Sequence, residues 1–472
     1  MLKENKQAFG LLVGKSTSLT EAHSYPLTSV PLALASPDGD LRQSAKASLR
    51  NHLMDATNAV EDDALLKATW IIDGMAIIRS MNPRVNWGSF CEAFIDNCMP
   101  PKELLPAKLE IVMDTYGEGR IKEMTQKRRG TTNRKIVIGG ADQAMPKARE
   151  WPEFLSDGDN KTELIRFIAS YCRSQEFKST LKVPLVITYE ENAWLVTPEE
   201  VNKLQNCNHH EADTRIIRHT IKADNPVVVV ASDTDILILL VYAYDKFLKD
   251  TDRQVQMKID SERFVNIRTI VDNIPEDAIN CLPAYHSITE CDTTSYPFGV
   301  GKVRPWNKAL KKKKINLLED LEKQTEEGLE SAESFVKTMM YPGKEAETVV
   351  ETRSRMYDKQ KQKASSSLIP DPASLHQHLQ RARLQTIIWT QTGEQNIEYP
   401  EPTEYGWIEK DGLKPHWFDG PQLPPSLTNK GRKRKRKETT VNYDADTEES
   451  DAEQPPPKKP VRREQTLQGN DC

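Results

Sequence analysis

The chain has 472 residues, a formal net charge of -5, 37% hydrophobic residues and 29% charged residues. Length sets an expectation of about two to four domains, and the modest apolar share fits a folded region with polar flanks rather than a chain that is globular throughout. No apolar run approaches the roughly 18 residues of a membrane helix, the charged start Met1-Leu2-Lys3-Glu4 has no apolar stretch of a secretory signal, and seven scattered cysteines point to a reducing compartment rather than a disulfide framework.

Residues 1–65 are polar and mixed, with Pro26, Pro31 and Pro37 interrupting any early helix. A helix is expected within 41–60, and no function is assigned to this variable region. From residue 66 the pattern changes. Three short, β-branched runs each end in aspartate: Ala68–Ile72 leads to Asp73, Leu109–Met113 to Asp114, and Val227–Ala231 to Ser232-Asp233-Thr234-Asp235. Such runs read as buried parallel strands. Val183–Thr188 is a fourth candidate, in a hairpin with Trp194–Val196. Helices are expected at Lys161–Ser174, His209–Lys222 and Leu237–Leu248, the last of which can also be read as continuing strand. Strands alternating with helices predict an α/β fold with a central, mostly parallel sheet flanked by helices over residues 66–310. Residues 311–424 read as a separate, mostly helical extension with charged helical character over Leu317–Met340, a linker at Lys363–Ser367, an amphipathic helix at Leu375–Thr390 and a Pro/Trp-containing stretch after it. Residues 425–472 have the composition of a disordered tail.

In open α/β sheets ligands sit outside the carboxyl ends of the strands, so aspartates ending three strands converge on one crevice. The candidate metal ligands are Asp73, Asp114, Glu211, Asp213, Asp233, Asp235 and Asp292. Asp233 and Asp235 share a face if the segment is extended. Glu211 and Asp213 do not share a face on a regular helix, which predicts one of them as a direct ligand and the other held through water or at an irregular first turn. Each aspartate taken singly is equally well read as a turn or helix-cap residue. Seven together need a cation to offset their burial. Mg²⁺ and Mn²⁺ take hard oxygen ligands, and two such ions about 3.5–4 Å apart can run phosphodiester hydrolysis.

The order of these acids resembles the flap-endonuclease branch of the PIN-like nuclease superfamily. The matching segments are Ile71-Ile72-Asp73-Gly74-Met75, Met113-Asp114-Thr115-Tyr116, Glu211-Ala212-Asp213, Ser232-Asp233-Thr234-Asp235 and Glu290-Cys291-Asp292. His209–Arg215 and Leu282–Lys302 also look like a mobile-element-associated animal branch of that superfamily. The resemblance implies a metal-dependent nuclease acting on DNA or RNA through two Mg²⁺ or Mn²⁺ ions. It also implies phosphate-contacting cations after Asp114, for which spacing selects Lys122 and Arg128. A solvated basic face is the alternative for that run.

Two departures stand out. Glu290 replaces the small residue that precedes Cys-Asp in the family, and the duplex-binding helix–hairpin–helix element shrinks to Phe298-Gly299-Val300-Gly301-Lys302, read here as a turn. A catalytically inactive binding module is therefore the alternative function. A zinc site from Cys207, His209, His210, Cys281, His286 and Cys291 is a competing metal reading, but its spacings match no standard finger. The cysteines are expected in the core and His209 and His210 beside the acids. In the tail, Arg432–Lys437 and Lys458–Arg463 are nuclear-localisation candidates, which predicts a nuclear protein recognised by an import receptor and not associated with membranes.

Overall fold

A computed structural model describes residues 2–16, 18–36, 38–44, 46–55, 65–117, 135–224, 226–260, 262–360, 365–410 and 412–428. Lys122, Arg128 and both basic clusters of the tail lie outside these residues.

The valine, isoleucine and leucine runs form an eight-stranded sheet. Its strands are β1 (Thr69–Asp73), β2 (Lys108–Val112), β3 (Leu185–Tyr189), β4 (Asn192–Val196), β5 (Val201–Lys203), β6 (Val227–Val230), β7 (Val255–Lys258) and β8 (Phe264–Asn266), in the order β5-β4-β3-β2-β1-β6-β7-β8. The five central strands are parallel, and β4, β5 and β8 add antiparallel edges. Strands β5, β7 and β8 extend the sheet beyond the runs singled out by sequence. The expected fold class, a mostly parallel sheet between helices, is the observed one.

Alternation along the strands divides the core in two. Trp70 and Ile72 face a cluster with the helices Trp87–Cys98 and Gly158–Cys172, while Ile71 faces the opposite cluster. That second cluster holds the helices Ala212–Lys222, Thr234–Ala243, Leu282–Thr289 and Pro372–Thr390. It runs without a break from Phe9 to Trp407, so segments on both sides of 66–310 pack into the same core. Residues up to Thr428 form one compact unit.

The expected helix at Leu237–Leu248 is observed, starting earlier at Thr234, where Asp233 caps it three residues after β6, and ending in a wider π turn over Tyr244–Leu248; one reading of local structure changes. The Pro372–Thr390 helix is buried nearly all round rather than amphipathic. Its polar residues find partners inside: Arg383 donates to the carbonyls of Leu321 and Thr325, and Arg381 to those of Gly406 and His416. Buried polar groups with partners cost little.

Candidate metal centre

Strand β1 lies between β2 and β6, so the chain leaves it first to one side of the sheet and later to the other. That is the switch point at which open α/β sheets form a crevice beyond their carboxyl ends. Asp73 ends β1 opposite Val112, Asp114 follows β2 by two residues, and Asp233 follows β6 by three. Gly74 allows the turn after Asp73 to pack against β2, since a Cβ there would lie 2.5 Å from the Met113 sulfur and 3.0 Å from Ile111.

The capping and ligand readings of these acids coexist. Asp73 Oδ1 accepts from the Ala76 amide at 3.1 Å, and Asp233 Oδ1 accepts from the Asp235 amide at 3.0 Å. Each aspartate opens a helix with one oxygen. Asp114 Oδ1 accepts from the Ala212 amide at 3.1 Å, fixing the first turn of Ala212–Lys222 to the end of β2. Glu211 is the N-cap residue of that helix and Asp213 lies buried in its first turn.

Asp233, Asp235 and Asp292 each place a carboxylate oxygen within 4.8 Å of the others, and among the described residues they are the one group of acids, histidines or cysteines that converges in this way. Asp73, Asp114, Glu211 and Asp213 lie outside that group. Asp73 is nevertheless electrostatically joined to it. Burial, and then the neighbouring Asp114 charge, push its carboxyl up to about 6, with Asp233 adding to the effect. Asp233 is likewise raised to about 6 by burial and then by Asp235. Hard oxygen donors carrying excess negative charge fit a divalent cation.

Several cations that sequence reasoning did not assign meet these acids. Arg79 Nη2 stands 4.0 Å from Asp114 Oδ2, which also accepts from the Tyr116 hydroxyl at 3.2 Å. Lys46 Nζ pairs with Asp292 and lies 3.6 Å from Asp235 Oδ2. Burial works against the Lys46 charge, but Asp235, Asp292 and Asp233 outweigh it and raise its pKa. Arg50 reaches the Ser232 carbonyl.

Beneath Asp235 runs a buried chain. His286 Nε2 is 2.8 Å from Asp235 Oδ1, and Lys302 Nζ is 3.1 Å from His286 Nδ1 and also donates to the Glu290 carbonyl. A lysine donor on Nδ1 leaves the proton of a neutral ring on Nε2, directed at Asp235. Burial and the Lys302 charge hold His286 down at about 4, and burial brings Lys302 down to about 8. Such outer partners fix a carboxylate's orientation. Within Phe298–Lys302, Lys302 is the residue tied into this chain, while Phe298 and Gly299 form a turn, with Gly299 at φ 76°.

The zinc candidates do not assemble. His209 bonds the Glu394 carbonyl at 3.0 Å, and the His210 ring stacks on Tyr399 at 4.3 Å, so both imidazoles contact the 394–399 loop. Cys207 and Cys281 are buried, and Cys291 Sγ lies 3.2 Å from the hydroxyls of Thr293 and Thr294.

No family model matches the chain, and no curated protein matches it. Among solved structures, flap endonuclease-1 from Methanococcus jannaschii aligns over 70% of this chain and 96% of its own length, at 13% identity and a TM-score of 0.29. A TM-score of that size does not define a shared fold, and the assignment of the centre rests on the strand order and the carboxylates themselves.

Proposed function

We propose that the protein is a divalent-metal-dependent nuclease of the PIN-like kind, hydrolysing phosphodiester bonds in DNA or RNA. The observation that carries the reading is the convergence of Asp233, Asp235 and Asp292, with Asp73 and Asp114 beside them, beyond the carboxyl ends of β1, β2 and β6. Asp73, Asp114 and Asp233 would hold Mg²⁺ or Mn²⁺, with Glu211 and Asp213 at the Asp114 side and Asp235 and Asp292 at the other. When bound, such an ion supplies Lewis-acid polarisation of a phosphoryl oxygen and a lowered water pKa. The chain's own groups then do the rest. Arg79, with Lys122 and Arg128, would bind the phosphate and offset its developing charge. Asp73 and Asp233, whose carboxyls burial and neighbouring acids raise to about 6, are the groups whose charge a bound cation would offset. The His286–Lys302 pair would hold Asp235 in one orientation.

The proposal includes entry to the nucleus through Arg432–Lys437 and an import receptor. Among the described residues no helix is long and apolar enough to cross a membrane.

The Lys46 ammonium among the acids favours a second reading, a binding module that has lost catalysis. Purified protein with single-stranded, duplex and flapped DNA and the RNA equivalents, in Mg²⁺, Mn²⁺ or EDTA, separates the two. Metal-dependent cleavage that disappears in Asp233→Ala supports the nuclease. Absence of cleavage from folded protein, with no Mn²⁺-dependent rise in melting temperature, supports the binding module.

A further inference from the structure

Glu290 and Lys46 belong to one arrangement. Glu290 stands at φ 138°, a backbone region that favours glycine, and is fully buried. Its carboxylate accepts from both the amide and the hydroxyl of Ser44. One residue earlier, Gln43 Nε2 donates to the Thr294 carbonyl at 3.2 Å. On the other side of Lys46 the Ala47–Met54 helix begins, anchored by buried Leu49, Leu53 and Met54 and by Arg50 on the Ser232 carbonyl. Lys46 is thus clamped before and after, with its ammonium between Asp235 and Asp292. A loose surface strap would not be tied into the core in this way. The acid that departs from the family pattern holds the segment that delivers a cation two residues away, at Asp292.

We propose that Lys46 is a built-in cation standing among Asp233, Asp235 and Asp292 in place of a second ion, so that the centre takes one divalent ion, on the Asp73 and Asp114 side, instead of two. The inference rests on the metal-centre reading above and deepens it. An ammonium offers three N–H donors and one positive charge. It balances Asp292 and Asp235 without open coordination positions, and it can meet a phosphate oxygen as a point charge where a second ion would stand. The asymmetry also separates two roles: Asp73 and Asp114 face the ion, whereas Asp292 positions Lys46.

The test counts ions. Full-length protein is titrated with Mn²⁺, and free ion is followed by electron paramagnetic resonance, beside Lys46→Ala, Lys46→Met, Asp292→Asn and Asp73→Asn. The Met variant keeps the length of the stem without its charge, and circular dichroism checks that each protein is folded. The proposal expects one Mn²⁺ per wild-type chain, two in either Lys46 variant, one in Asp292→Asn and none in Asp73→Asn. Two ions in the wild type would overturn the built-in cation and leave the metal centre standing. One ion in the wild type and still one in both folded Lys46 variants would also overturn it. No bound ion in any of the proteins would overturn the metal-centre reading and this inference with it.

Discussion

Glu290→Gly tests whether the unusual acid is an anchor or a defect. Glycine removes the steric cost of φ 138°, worth about 1–3 kcal/mol at such positions. It also removes two hydrogen bonds from Ser44 to a carboxylate, each worth about 1.5–3 kcal/mol, and leaves the exposed Ser44 donors to water. The losses exceed the gain, and the expected net effect is a destabilisation of about 2.5 kcal/mol. With an unfolding entropy near 2.1 cal/mol/K per residue, the unit ending at Thr428 should melt about 3 °C lower. Differential scanning fluorimetry of the two proteins side by side measures this. A variant that melts at or above the wild-type temperature would mean that the backbone strain outweighs the Ser44 contacts, and that the 43–46 segment is not held by Glu290.

Asp233→Ala should lower the cleavage rate by more than about 100-fold, beyond the roughly 10–100-fold typical of residues behind a metal ligand, while filter binding of nucleic acid stays within a few-fold; undiminished cleavage would remove Asp233 from the centre. Saturating Mn²⁺ should raise the melting temperature, by an amount equivalent to about 2.7 kcal/mol at a hundred times its dissociation constant, and Asp73→Asn should abolish the rise. Acid should destabilise the protein below pH 6.5. Burial holds His23 and His378 at about 3 and His209 and His286 at about 4, so the unfolded chain takes up four protons that the folded chain refuses. Below pH 6, Asp73 and Asp233 oppose this by taking up protons in the folded state first. The balance between pH 6 and 5 is a loss of about 2.7 kcal/mol per pH unit, and a flat melting temperature over that interval would contradict the buried, neutral imidazoles. Gly406→Ala should destabilise by about 2–4 kcal/mol in urea unfolding, since Gly406 has φ 77° and a Cβ would lie 2.5 Å from the Gln377 carbonyl of the central helix.

The sequence by itself determined the sheet's centre and where Asp73, Asp114 and Asp233 leave its strands. Short runs such as Thr69–Ile72 and Val227–Val230 can be satisfied only as buried strands, and an acid at the end of such a run must emerge at the sheet's carboxyl edge. The helix Gly158–Cys172 and the β3–β4 hairpin were legible for the same reason, because their patterns are local. Tertiary structure decided what depends on distant partners. Arg381, Arg383 and Gln385 look like solvent-facing residues of a helix in isolation, and they are buried because carbonyls and hydroxyls from other segments meet them there. His210 follows Cys207 and His209 in a metal-like string, yet its ring goes to Tyr399. Lys46 sits in a stretch with no motif at all, and only the folded chain sets its ammonium between Asp235 and Asp292. Periodicity records which way a side chain points relative to its own backbone. It carries no record of which remote charge will be waiting there, and at this centre that remote charge is the lysine.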